Sequence, residues 1–235
     1  MRVTTNTRMI RRRAKFGTYA SLGGIAVLAG GMVASFQPQL VWVSLIALIA
    51  GFLLAQYGNY NLRRYGRSPR PDEIVAESMK GFDDRYHLYA WSLPSPFVLL
   101  TPHGLYSFVT RDQTGEITNT GSQWRTKFSL GRALLMFSQE GLGNPSQDAQ
   151  QYAAKLTDWV RSKLPESTIT AQPAIIFTDP RAQLQVTEPT VPVLDSKGVK
   201  KWLRTGKPEF IKNAEFRELE ALFDEVAALS QSGGK

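Results

Sequence analysis

The 235-residue chain contains no cysteine, which excludes disulfides, thiolate chemistry and cysteine-ligated zinc. Only two histidines occur, His87 and His103, and they do not stand at ligand spacing, so no histidine-based metal site is expected. There is no nucleophile elbow Gly-x-Ser-x-Gly, no Walker loop and no dinucleotide fingerprint. The clustered glycines near Gly23 fall inside an apolar run instead. Acidic residues are missing altogether before Asp72.

That last absence organises the chain. The first 71 residues carry ten Lys or Arg and enclose two uncharged apolar runs, 16–36 and 40–57. Arg2, Arg8, Arg11, Arg12, Arg13 and Lys15 precede the first run; Arg63, Arg64, Arg67 and Arg70 follow the second. At 1.5 Å per residue a 21-residue helix covers roughly 30 Å, the thickness of a bilayer's hydrocarbon core. Gln37, Pro38 and Gln39 leave room only for a tight reversal. In lipid an open-ended segment must satisfy its own backbone, so both runs are expected to be helical. Gly23, Gly24, Gly30 and Gly31 would allow close helix approach. Tyr19, Trp42, Tyr57 and Tyr60 suit the interface. Positive flanks stay cytoplasmic, so both the N-terminus and everything after Asn61 are expected inside. A cleavable signal has a shorter apolar core, and the twin-arginine reading of Arg12-Arg13 is opposed by the second run.

The net charge of +8 therefore reports topology. Beyond residue 71 there remain 18 basic residues against all 20 acidic ones, near −2, which does not support a nucleic-acid surface. Five segments are expected: a basic cytoplasmic N-terminus over 1–15, the hairpin over 16–57, a basic linker over 58–71, one domain over 72–204, and a C-terminal helix with a polar tail over 205–235.

Within the domain, apolar spacing predicts a helix over 72–82 that stops at Gly81. Strands are expected over 86–91, 97–101 and 105–110, with Pro102-His103-Gly104 as a turn, and a fourth from Gly115 toward Trp124. The stretch 129–139 fits helix or strand. Asn144-Pro145 caps a helix to about Lys163, with Ala149, Tyr152, Ala153, Leu156, Trp159 and Val160 inward. A strand over 169–178 has the apolar centre of one buried on both faces. Val191 and Val193 mark a further strand, 196–204 a short helix and 214–229 a longer one. This order predicts an α/β fold with a mixed sheet behind a two-helix transmembrane hairpin.

From Asp72 to Phe177 a series of short motifs runs in order: Glu73 in an acidic helix, Thr101-Pro102-His103-Gly104 and the strand Leu105 to Arg111. Gly115-Glu116-Ile117, Trp124, Asn144-Pro145 and Ile175-Ile176-Phe177 follow. In this series the chain resembles the nuclease-related domain, or NERD, family. The resemblance implies a restriction-endonuclease-like sandwich with the core order helix–strand–strand–strand–helix–strand. In such nucleases an Asp and a Glu hold Mg²⁺ and a Lys orients the attacking water, because a hard octahedral cation needs oxygen donors. Those positions fall here on Pro96, Val109 and Arg111. Two have no side-chain oxygen, and Arg cannot act as a base.

The sequence thus predicts a tethered, nuclease-like domain without catalytic residues, cofactor or metal, acting through binding; the alternatives are an active Mg²⁺-dependent nuclease with relocated ligands and a purely structural membrane scaffold. Mg²⁺ enters only if at least two of Glu73, Asp83, Asp84 and Glu116 converge to rebuild the site. The expected partners are the bilayer and a protein or a second copy. Two further features need placing. Lys197, Lys200, Lys201 and Arg204, with Lys207, Lys212 and Trp202, form a basic cluster that fits an anionic partner or a solvated face over an inward Trp202. Phe216, Leu219, Phe223 and Val226 form a helical stripe that fits the domain core or a dimer seam.

Overall fold

In the computed structural model, residues 1–126, 141–206 and 211–232 are described. The described residues divide into two units, one built on 8–70 and the other on 1–7, 71–126, 142–206 and 211–232. The stretch 129–139, read above as helix or strand, lies outside the described residues.

The first unit is built on two long helices, α1 (Thr7–Ala34) and α2 (Val41–Asn61), joined through a 3₁₀ turn at Pro38–Leu40. Both are long and apolar enough to cross a membrane, and only 22% and 6% of their most apolar windows is buried. That is the reverse of a soluble core helix. A π-helical turn, Leu62–Gly66, closes the second helix and carries Arg63 and Arg64.

Glycine decides how closely these helices approach. A Cβ on Gly24 would lie 2.6 Å from the Ala55 nitrogen, and one on Gly58 only 2.3 Å from the Ser21 nitrogen. Gly17, Gly31 and Gly51 are pressed in the same way, whereas Gly30 meets nothing within 4 Å and Gly23 only the tip of Leu54. Of the four glycines expected to mediate approach, Gly24 and Gly31 do so. Gly23 and Gly30 lie off the seam. Backbone-to-backbone packing of this kind is what small residues supply in lipid, where no hydrophobic drive exists between helices.

The second unit is an α/β domain. Its six-stranded mixed sheet has the order β1-β2-β3-β4-β7-β9, and a three-stranded sheet has the order β6-β5-β8. The strands are β1 (Arg2–Thr5), β2 (His87–Ala90), β3 (Phe97–Thr101), β4 (Gly104–Arg111) and β5 (Gly115–Thr120). They continue as β6 (Gln123–Thr126), β7 (Ala171–Phe177), β8 (Ala182–Thr187) and β9 (Val193–Asp195). β2, β3 and β4 form an antiparallel meander, and β4 then pairs in parallel with β7. The right length of chain for that crossover is supplied by the helix α4 (Pro145–Lys163).

Asn144 caps α4 by accepting from the Gln147 amide, with Pro145 in the first turn. Its inner face buries Ala153, Leu156 and Val160 against Val98, Leu100, Leu105 and Ala171. Helix α6 (Asn213–Ser232) adds Leu219, Phe223 and Ala227 to that core, so its apolar stripe is used within the domain. On the other face of β4, Trp202 of the short helix α5 (Val199–Thr205) packs against Tyr106 and Phe108. Beside it, Lys200 donates to the Lys80 carbonyl just past α3 (Pro71–Ser78).

The largest departure from the sequence reading is β1. Residues 1–15 are not a free basic leader: Arg2–Thr5 pair in parallel with His87–Ala90, and α1 starts at Thr7. Val3, Thr4 and Thr5 are good strand formers, but their partner lies more than eighty residues away, so nothing local announces the pairing. Asn6 alone joins strand to helix, its amide donating to Ala90 O and its side chain to Trp91 O. β8 was likewise absent from the reading. Its alternation of Ala182, Leu184 and Val186 is short and mostly exposed, and it needs β5 to define it.

Candidate functional site

The antiparallel register sets Phe97 opposite Phe108. Pro96 and Val109, the two positions where the resemblance implies carboxylates, adjoin that pair along the chain. Neither can hold a cation. Val109 is 2% exposed and belongs to an apolar cluster with Ile117, Ala149, Ile175, Phe177 and Val191. Trp124, Tyr152 and Leu184 pack against it. Next to Pro96 the buried hydroxyls of Ser95 and Ser107 bond each other at 2.7 Å.

Arg111, 8% exposed, shares a face with Val109 by strand alternation. Its guanidinium donates to the Asp148 carboxylate in the first turn of α4 and to Thr110 O. A buried arginine thus meets one acid, and the arrangement is a structural ion pair rather than a metal cradle. Asp148 was not singled out in the sequence; its place in a capped first turn was the available signal.

Among the described residues, none of the acids weighed as replacements belongs to a group of three metal-ligating side chains within reach of one another. Asp83 is engaged by Arg85, Asp84 is exposed, Glu116 lies on β5 in the other sheet, and Glu73 is on α3. Among the described residues, the metal-ligating trio within mutual reach is His87, Glu220 and Asp224, with ligand atoms within 4.8 Å.

That trio was missed because its parts come from β2 and α6, far apart in the chain, and Arg2 and Thr4 of β1 complete the cluster around it. His87 and Tyr89 share a strand face, and Glu220 and Asp224 stand one helical turn apart. The hydrogen bonds fix each role. Tyr89 donates its hydroxyl proton to Asp224 Oδ1 at 2.8 Å, so the 2.7 Å contact to His87 must be Nδ1–H donating to the Tyr89 oxygen. His87 Nε2 then accepts from the Thr4 hydroxyl at 2.9 Å. Arg2 bridges the two acids, reaching Glu220 at 2.7 Å and Asp224 at 3.1 Å. Both imidazole nitrogens are engaged and one guanidinium pairs with both carboxylates, so these side chains hold one another without an ion. It works as a clasp that fastens β1 to the domain.

Burial pushes the His87 pKa from 6.5 down to about 4, against the pull of Asp224 and with the push of Arg2. Burial and the Asp224 carboxylate push Tyr89 up. An unfolded chain therefore takes a proton on His87 that the folded domain refuses. Its contribution to stability is present above pH 6.5 and is lost as pH falls through about 4. The expected result is a thermal midpoint that drops across that window, and a flatter dependence in His87→Gln. Thermal unfolding of the full chain followed by tryptophan fluorescence at stepped pH measures both; a parallel pH dependence in the variant would remove His87 as the cause.

Lys200 bonds the Lys80 carbonyl, and the Arg204 guanidinium lies 5.8 Å above the Phe82 ring. Lys201 is exposed, and Trp202 faces inward. Lys207 lies outside the described residues. His103 sits in the β3–β4 turn, its amide donating to Thr101 Oγ1.

What the fold and these sites define is an α/β domain with mixed sheets, joined to two helices apolar enough to cross a membrane. Compared with known proteins, the chain matches no family model, no curated protein and no solved structure.

Proposed function

We propose that this protein is a membrane-anchored, cytoplasm-facing domain with a degenerate nuclease-like core, which acts by binding a protein partner rather than by hydrolysis. The observation that carries the reading is the apolar burial of Val109 beside the Arg111–Asp148 pair. A phosphodiesterase needs oxygen donors for its cation at that place, and a buried valine supplies none. With β5 and β6 of the three-stranded sheet set aside, α3, β2, β3, β4, α4 and β7 follow the order helix–strand–strand–strand–helix–strand, which supports the nuclease-like core.

The pairing of β1 with β2 supports the topology. One strand precedes the first apolar helix and the other follows the second, so a hairpin that spans the bilayer has both ends on one side. The arginines flanking both helices favour the cytoplasmic side. The domain's near-neutral charge favours a protein over a nucleic acid as partner.

The test is incubation of the full chain with single- and double-stranded DNA and RNA in Mg²⁺ or Mn²⁺. No cleavage is expected. Metal-dependent cleavage that disappears in Glu73→Ala would overturn the reading in favour of an active nuclease with relocated ligands. The full chain is needed: a fragment beginning at residue 72 would lack β1 and leave Glu220 and Asp224 without Arg2.

A further inference from the structure

Met9, Arg12, Arg13 and Phe16 stand at i, i+3, i+4 and i+7 on α1, and so share one helix face. Together with Tyr57 of α2 they line a cavity of about 400 Å³. Phe16 meets the Tyr57 ring edge-on with centroids 5.7 Å apart, and Arg13 Nη1 donates to the Tyr57 hydroxyl at 3.4 Å. The cavity joins two fixed positive charges to an apolar lining. Residues 1–71 contain no carboxylate, and among the described residues neither Arg12 nor Arg13 is ion-paired.

Position along the helices narrows the ligand. Phe16 opens the first uncharged run and Tyr57 closes the second, so charge gives way to hydrocarbon at this cavity. An occupant must present an anion to the arginines and methylenes to the aromatic rings. We infer that the cavity binds one anionic glycerophospholipid, its phosphate on Arg12 and Arg13 and the start of an acyl chain on Phe16 and Met9. Guanidinium at both positions suits a phosphate, which its planar fork contacts through two parallel hydrogen bonds. The neutral phosphocholine headgroup carries its own cation and satisfies the arginines less well. This inference rests on the membrane reading above.

The experiment uses the full chain extracted in neutral detergent micelles doped with equal parts phosphatidylglycerol and phosphatidylcholine. Native mass spectrometry counts the lipids retained. Phosphatidylglycerol should be retained over phosphatidylcholine by about tenfold, as two juxtamembrane arginines warrant. Arg12→Gln with Arg13→Gln should abolish the preference. Arg11→Gln with Lys15→Gln removes the same charge away from the cavity and should leave most of it. Equal loss in both pairs would mean a diffuse basic flank and no site. Full displacement of the lipid by soluble glycerol phosphate would mean a free phosphate site, which also overturns the inference. Alkaline carbonate washing of membranes holding the chain separates the two levels of failure. Release of the chain would sink the membrane reading and the lipid site with it. Retention without lipid preference would sink the site alone.

Discussion

Val109→Glu, which restores an acid where the nuclease resemblance implies one, will destabilise the domain by roughly 3–5 kcal/mol and create no metal-dependent cleavage. The new carboxylate would enter a cluster of Ile117, Ala149, Ile175, Phe177 and Val191. None of those side chains offers a hydrogen bond, so the group must either ionise in an apolar setting or stay protonated. The cation on the same face is Arg111, which Asp148 already holds. Competition for it gives a second expectation. Val109→Glu combined with Asp148→Ala should lose less stability than the two single changes together, because one guanidinium then serves one acid. Urea unfolding of the full chain, read by tryptophan fluorescence, measures all three variants. A Val109→Glu protein as stable as the parent, and stabilised further by Mn²⁺, would show that this strand end still opens onto a cation site.

Gly58→Leu should separate the helical hairpin. The Cβ would fall 2.3 Å from the Ser21 nitrogen and 2.8 Å from the Gly17 carbonyl oxygen, both backbone atoms that no rotamer change can move. Overpacking of this kind costs on the order of 1–3 kcal/mol where a side chain can yield, and here the helices themselves must part. Gly30→Leu is the matched control, since nothing stands within 4 Å of a Cβ there. The absence of cysteine makes a clean reporter. A Cβ at Gly31 would lie 2.8 Å from that of Ala47, and a disulfide needs about 3.5–4.5 Å, so a slight yielding permits the bond. Gly31→Cys with Ala47→Cys should therefore cross-link within one chain on mild oxidation. Gly58→Leu should reduce the yield several-fold, and Gly30→Leu should leave it unchanged. Undiminished cross-linking in Gly58→Leu would mean that the helices do not meet along this seam.

Both expectations concern places where a side chain's neighbours, rather than its type, set the outcome. The sequence identified the two apolar runs because hydropathy over about twenty residues is a local property. The Asn144-Pro145 cap and the apolar face of α4 were readable for the same reason, as was the buried centre of β7. The clasp of Arg2, Thr4, His87, Tyr89, Glu220 and Asp224 was not readable. Its members are contributed by three elements, and the ion pairs of Arg2 join residues more than two hundred positions apart. At the strand end, the sequence located Pro96, Val109 and Arg111. It could not say that Asp148 would close on the arginine, because that depends on where the first turn of α4 settles against β4.

The glycines draw the boundary most sharply. Gly17, Gly24 and Gly31 repeat every seven residues, and so do Gly23 and Gly30. Composition and spacing alone determined that a glycine-rich helix would follow a basic flank and turn back at Pro38. Only the packed hairpin decided which series meets Gly51 and Gly58, because a helix carries several faces and a partner backbone can press on just one of them.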